Sequence, residues 1–144
     1  MKILYMILCV SALLFAIEKQ IFTTNKHVTV EMRAPENISQ TQDNEISFFL
    51  DPIDGIHINT NPKFELILDK KSTIEVIGKP SFQKNENGYL DTQAAIKFSV
   101  KPKASTKTGK QTLKGKLNYF YCSDKEGWCN RFSQPFEASI TVTK

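Results

Sequence analysis

Apolar and polar residues alternate with a period of two along most of this chain, which is typical of β-strands that bury one face. In one segment Val28, Val30 and Met32 would share a side of the strand. The alternation predicts strands at His27–Arg33, Glu45–Leu50, Lys63–Asp69, Ser72–Ile77, Ala94–Lys101, Thr112–Tyr121 and Pro135–Thr143, with a short edge strand at Ile56–Asn59.

Residues that favour turns separate these predicted strands. They are Pro35–Asn37, Asp51-Pro52, Asp54-Gly55, Asn61-Pro62, Gly78–Pro80, Asn87-Gly88 and Gly109. No stretch after the first 17 residues carries an apolar stripe at helical spacing. Short strands with frequent turns predict an all-β fold, an immunoglobulin-like antiparallel β-sandwich, and a small β-barrel is the alternative.

The first 17 residues have a different pattern, with a single charge at Lys2 followed by an apolar run from Ile3 to Ile17. This run is shorter than the roughly 20 residues of a membrane span, and it matches a secretory signal peptide. Ala16 precedes the expected cleavage site. We therefore predict a signal peptide at 1–17 and a β-sandwich domain at 18–144, with an uncleaved anchor or a buried helix as the alternatives.

Composition and charge narrow the class of protein. The chain has 144 residues, 40% hydrophobic and 24% charged, which is ordinary for a globular domain. Its net charge of +4 is small and is spread along the chain, so no nucleic-acid-binding surface is predicted. The basic stretch 101–116 is interpreted as a solvated hairpin or loop. No cofactor or metal site is predicted, and His27 and His57 are interpreted as ordinary strand residues.

Export to an oxidising compartment would change how the cysteines of this chain are interpreted. Cys9 lies in the predicted signal, so the exported chain keeps Cys122 and Cys129, which flank a short polar connection between two strands. An even pair in an oxidising compartment is a disulfide candidate. This disulfide could be a structural staple or a redox-active pair. If the pair is redox-active, the positive charges of Lys125 and Arg131 could favour a thiolate, and the aromatic side chains of Tyr121 and Trp128 could shield the sulfurs.

The segment from Tyr119 to Cys129, YFYCSDKEGWC, resembles the N-terminal domain of the DsbD thiol:disulfide interchange protein family. Upstream, the segment Asp54–Asn59, DGIHIN, is similar to a second segment of that family. The resemblance implies an immunoglobulin-like sandwich in the bacterial periplasm. It implies that Cys129 forms the intermolecular mixed disulfide and that Cys122 is the resolving cysteine. The family's cap loop would lie at Pro80–Leu90, where Phe82 and Tyr89 are further shielding candidates.

Two functions follow from these observations. The first is an exported thiol–disulfide exchange domain that relays reducing equivalents through Cys122 and Cys129, with thioredoxin-like or membrane thiol–disulfide proteins as partners. The family's membrane and thioredoxin-like domains do not follow in this sequence, so these partners would be separate proteins. Contact with a membrane would come only through an uncleaved N-terminal anchor. The alternative is a non-catalytic protein-interaction module of the same fold with a structural disulfide.

Overall fold

A computed structural model describes residues 17–144, and within that range every regular element is a β-strand. The predicted signal segment lies almost wholly outside the described residues. None of the described residues forms a helix long and apolar enough to cross a membrane. The strands are β1 (Ile17–Asn25), β2 (Val28–Pro35), β3 (Asn37–Ser39), β4 (Asn44–Pro52), β5 (Ile56–Asn59), β6 (Glu65–Leu68), β7 (Ile74–Ser81), β8 (Ile96–Pro102), β9 (Gly109–Ser123) and β10 (Trp128–Thr143).

These strands form two sheets, which confirms the predicted immunoglobulin-like β-sandwich. The first sheet has the order β1-β2-β4-β8-β7, and the second has the order β3-β10-β9-β5, with β6 also paired to β9. Among the described strands, only β3 and β10 pair in parallel. The long hairpin of β9 and β10 runs from the Gly109–Val142 pair to the Ser123–Trp128 pair and forms the centre of the second sheet.

The core lies between the sheets and is built from the alternating residues that the pattern predicted. Val28, Val30 and Met32 of β2 are at most 1% exposed. Phe48 of β4 meets Phe98 of its own sheet and Phe136 of the opposite sheet, with ring centroids 6.0 and 5.4 Å apart. Moving an apolar side chain out of water lowers the free energy of the folded protein, and so each strand turns this face inward.

Several predicted boundaries are wrong. β1 and β3 were not predicted, and β3 begins at Asn37, inside a predicted turn. The predicted Gly78–Pro80 turn lies inside β7, where the pairing with β8 shifts register and Gly78 has a φ of 69°. The last strand begins at Trp128 rather than Pro135. The basic stretch 101–116 is largely strand, because Gly109 already belongs to β9.

Candidate functional site

Cys122 and Cys129 are directly opposite each other near the tip of the β9–β10 hairpin. Their Sγ atoms form a disulfide, and their Cα atoms are 4.1 Å apart. The tip closes because the Gly127 N–H donates to the Ser123 carbonyl oxygen at 2.9 Å. Gly127 has a φ of 68°, a left-handed conformation that glycine adopts without a steric penalty. The hairpin therefore carries a disulfide between two adjacent antiparallel strands.

The two halves of this disulfide differ in exposure. Cys122 is only 4% exposed, whereas Cys129 is an exposed residue. At the hairpin tip β9 pairs with β10 on one side and with β5 on the other. Strand β3, on the other side of β10, pairs only with Thr141–Thr143, far from Cys129. A thiolate from another protein must reach a sulfur along the axis of the S–S bond. The exposed Cys129 is the sulfur that such a partner can approach.

Strand β5 brings two polar side chains to the buried sulfur. His57 is directly opposite Cys122 in the β5–β9 pairing, and Asn59 is two residues further along. The Asn59 side-chain amide donates a hydrogen bond to Cys122 Sγ, with 2.9 Å between Nδ2 and Sγ. Sequence reasoning did not single out either residue for chemistry. The only signal was that Asp54–Asn59 belongs to the second segment of the family resemblance.

A small network extends from His57 over the hairpin tip. His57 Nδ1 is 3.3 Å from Asp124 Oδ2, in the loop between the cysteines. The Tyr89 ring stacks on the imidazole, with centroids 3.7 Å apart and planes inclined by 22°. Tyr89 is held there because the next residue, Leu90, donates its N–H to the Ile58 carbonyl oxygen at 2.9 Å. Tyr89 thus contacts His57, and His57 is the residue opposite Cys122.

The four aromatic residues predicted to shield the sulfurs occupy three different places. Tyr121 and Trp128 pack edge to face with centroids 5.7 Å apart. They lie on the core side of the hairpin, because neighbouring side chains on a strand point to opposite faces. Phe82 packs edge-on against Phe64, with centroids 5.0 Å apart. Of the four, Tyr89 is the one that the structure connects to the disulfide face, through His57.

The charged residues near the cysteines are of both signs. Arg131 shares the outer face of β10 with Cys129, and its guanidinium lies 3.7 Å from the Glu65 carboxylate. Lys125 is exposed in the hairpin loop, between Asp124 and Glu126. The Glu126 carboxylate accepts a hydrogen bond from the Trp128 indole. Both basic residues predicted to favour a thiolate, Lys125 and Arg131, therefore have carboxylate residues as neighbours.

A cleft of about 670 Å³ lies away from this chemistry. It is lined by apolar side chains that include Phe22, Ile67 and Phe136 and by charged ones that include Lys114 and Glu137. Neither cysteine lines it. Within residues 17–144, no three His, Cys, Asp or Glu side chains are grouped so that they could hold a metal ion. The candidate site is therefore the exposed disulfide at the hairpin tip and not a cavity.

The fold and the site define an immunoglobulin-like β-sandwich with a half-exposed cross-strand disulfide. No protein-family model matches the chain, and no curated protein matches it in sequence. The yeast GGA1_GAE domain-P21 crystal structure is similar in fold, with 16% identity, a TM-score of 0.50, and coverage of 84% of this chain and 99% of that chain.

Two further solved structures resemble the chain at lower TM-scores. The N-terminal periplasmic domain of ScsB from Proteus mirabilis has 17% identity and a TM-score of 0.48, and covers 85% of this chain and 49% of that chain. The GAE domain of GGA2p from Saccharomyces cerevisiae has 12% identity and a TM-score of 0.45, and the match covers 88% of this chain and 98% of that chain. At these identities the likeness concerns the fold alone.

Proposed function

We propose that this chain is an exported thiol–disulfide exchange domain that works through Cys122 and Cys129. The observation that carries the proposal is the unequal exposure of the two cysteine residues, with Cys129 exposed and Cys122 buried. The resemblance of the segments around these cysteines to the DsbD N-terminal domain supports the same roles. The apolar run before Ile17 supports export, and the periplasm is the compartment that the resemblance implies.

The exchange begins when a thiolate of a reduced partner attacks Cys129 Sγ. A bond forms between the partner sulfur and Cys129 Sγ, the Cys122–Cys129 bond breaks, and its electron pair leaves with Cys122 as a thiolate. A second thiolate of the partner then attacks the partner's own sulfur, which releases Cys129 as a thiolate. The partner is now oxidised by two electrons and this domain is reduced.

The reduced domain passes these electrons on by the reverse chemistry. The Cys129 thiolate attacks a disulfide of an oxidised envelope protein and forms a mixed disulfide with one of its sulfurs. The Cys122 thiolate then attacks Cys129 Sγ, which restores the internal disulfide and releases the target in its reduced form. We propose thioredoxin-like or membrane thiol–disulfide proteins as the donors. The chain needs no cofactor for this cycle, because the cysteines carry the electrons.

Cysteine variants test this assignment. In Cys122→Ser, Cys129 is the exposed thiol. We expect it to displace thionitrobenzoate from a thioredoxin-like protein whose single remaining cysteine carries that group, which leaves a stable mixed disulfide on a non-reducing gel. In the matched variant Cys129→Ser, the remaining Cys122 is buried, and we expect at least a tenfold loss of the mixed disulfide. Exchange that persists unchanged in Cys129→Ser would contradict the mechanism.

The reduction potential separates this proposal from a non-catalytic interaction module with a structural disulfide. The position of the disulfide across a long, fully paired hairpin is the observation that favours the structural alternative. For an exchange domain we expect a potential of roughly −200 to −270 mV and rapid equilibration with a thioredoxin-like protein. A potential below about −300 mV with slow exchange is expected of a structural disulfide.

A further inference from the structure

The buried sulfur of the disulfide has a neutral hydrogen-bond donor that comes from a distant part of the sequence. Asn59 and Cys122 are 63 positions apart, and the Nδ2–Sγ distance is 2.9 Å. Asn59 is on β5, whose backbone pairs with β9 from Ile56–Ser123 to Asn59–Phe120. This pairing holds the amide in place beside the sulfur before any reaction occurs.

The strength of this hydrogen bond changes during exchange. A sulfur in a disulfide is a weak acceptor, so the bond contributes little while Cys122 remains paired with Cys129. When a partner attacks Cys129, Cys122 receives the electron pair and becomes a thiolate, and hydrogen bonds to ionised groups are markedly stronger. Because Cys122 is only 4% exposed, bulk water has little access to stabilise this charge.

We propose that Asn59 is a catalytic residue that stabilises the Cys122 thiolate as it leaves. This inference rests on the proposed function, because it assigns the leaving and resolving sulfur of that exchange. A better-stabilised leaving thiolate departs faster, and a stabilised reduced form makes the disulfide more oxidising. The same hydrogen bond keeps Cys122 ionised for the resolving attack on Cys129.

His57 of β5 is directly across the pairing from Cys122, and Asp124 of the hairpin loop is 3.3 Å from His57. On the same outer face, the Arg131 guanidinium of β10 lies 3.7 Å from the Glu65 carboxylate of β6. The Asn59 variants change none of these four side chains. Since Asn59 is uncharged, replacing it with leucine leaves the net charge around Cys122 unchanged. A test at Asn59 therefore measures the donor and not the histidine–carboxylate pair.

The decisive measurement is the pH at which Cys122 ionises, read from the ultraviolet absorbance of the thiolate. The background is Cys9→Ser with Cys129→Ser, in which Cys122 is the only thiol of the chain. In Asn59→Leu, a variant of similar size without the donor, we expect the ionisation constant to fall about tenfold, which corresponds to the roughly 1.5 kcal/mol of a hydrogen bond to a charged group. The control is Asn130→Leu, beside Cys129 in sequence but on the opposite face of β10, where we expect no change.

A second variant keeps the test informative if leucine disturbs β5. Asn59→Asp preserves the shape of the side chain, removes the donor and adds a negative charge, so we expect a fall of more than tenfold. In the chain with both cysteines, the equilibrium constant for reduction by a thioredoxin-like protein should fall about tenfold in Asn59→Leu. Ionisation that is unchanged in both folded Asn59 variants overturns the inference.

The failure of this inference and the failure of the proposed function are distinguishable. The titration of Cys122 needs no partner protein, so it reports on Asn59 even if exchange is never observed. Rapid exchange by the unaltered protein together with an unchanged titration in the Asn59 variants overturns the inference alone. No exchange by the unaltered protein overturns the proposed function, whatever the titration shows.

Discussion

Gly115 allows a close approach between strands and an aromatic ring. A Cβ atom at this position would lie 2.5 Å from the Ile67 carbonyl oxygen and 2.8 Å from the Phe136 ring. Gly115 pairs with Leu68 of β6 on one side and with Phe136 of β10 on the other, so the oxygen belongs to an adjacent backbone that cannot rotate away. The absence of a side chain at Gly115 is therefore a packing requirement of the second sheet.

We predict that Gly115→Ala destabilises the protein by about 1–3 kcal/mol, because the added methyl group forces β6 or Phe136 to move. The measurement is the free energy of unfolding in urea. Ser139→Ala, at an exposed position of β10, serves as a control and should stay within about 0.5 kcal/mol of the unaltered protein. A Gly115→Ala variant as stable as the unaltered protein contradicts this account of the contact.

Residue chemistry near the disulfide was only partly predictable. Cys122 and Cys129 could be paired from the sequence, because a short polar connection between two alternating strands brings their backbones together. The donor Asn59 could not be assigned, since its distance from Cys122 depends on how β5 pairs with β9. The inward face of Tyr121 followed from the predicted strand Thr112–Tyr121, whereas that of Trp128 could not be assigned, because the pattern predicted the last strand only from Pro135 and β10 begins at Trp128.

Among the elements, β1 at the edge of the first sheet shows how an irregular pattern hides a strand. Ile17 and Ile21 are among the exposed large hydrophobic residues, and the pairing with β2 shifts register after Phe22. No clean alternation therefore predicted a strand there. A charged contact helps to hold it, because Lys19 Nζ lies 2.9 Å from a Glu31 oxygen on β2.

The Glu31 carboxylate makes the attachment of β1 dependent on pH. Hydrogen bonds from Lys19 and then from Arg33 lower the pKa of Glu31 below its ordinary value of 4.5. A carboxyl group whose pKa is lowered in the folded state stabilises the fold above its unfolded pKa, and this stability is lost as the pH falls through the folded pKa.

We predict that Glu31→Gln lowers the free energy of unfolding by about 1 kcal/mol or less at neutral pH, and that the difference disappears in acid below the folded pKa. Urea unfolding at a series of pH values measures both. Glu137→Gln, which breaks a more exposed pair with Lys114, is the control and should have a smaller effect. A deficit in Glu31→Gln that is the same at every pH would show that the charge is not its cause.

At the scale of the whole molecule, Phe48 connects the two sheets. It is fully buried on β4 and its ring contacts Phe136 of β10 in the opposite sheet. The sheet that carries the disulfide therefore depends on a core that it shares with the other sheet. A domain of this size usually unfolds in a single cooperative transition.

We predict that Phe48→Ala lowers the free energy of unfolding by about 3–5 kcal/mol, because it leaves a cavity between the sheets. Trp128, the single tryptophan, reports on the second sheet by fluorescence, and circular dichroism reports on all the strands. Both transitions should shift together. Phe49→Ala is the matched control, since Phe49 lies on the outer face under Arg33, and it should cost less. A fluorescence transition that does not move in Phe48→Ala would mean that the sheets unfold separately.

Local patterning was enough to predict the class of fold, the inward face of most strands and the pairing of the two cysteines. Each of these depends on neighbours in sequence, because side chains alternate along a strand and a hairpin joins consecutive strands. The parallel contact of β3 with β10, the bulge in β7 and the meeting of Asn59 with Cys122 depend on pairings between distant segments. Such pairings are selected by the packing of both sheets around one core, and so the buried sulfur acquires its hydrogen-bond donor only when the whole sandwich has formed.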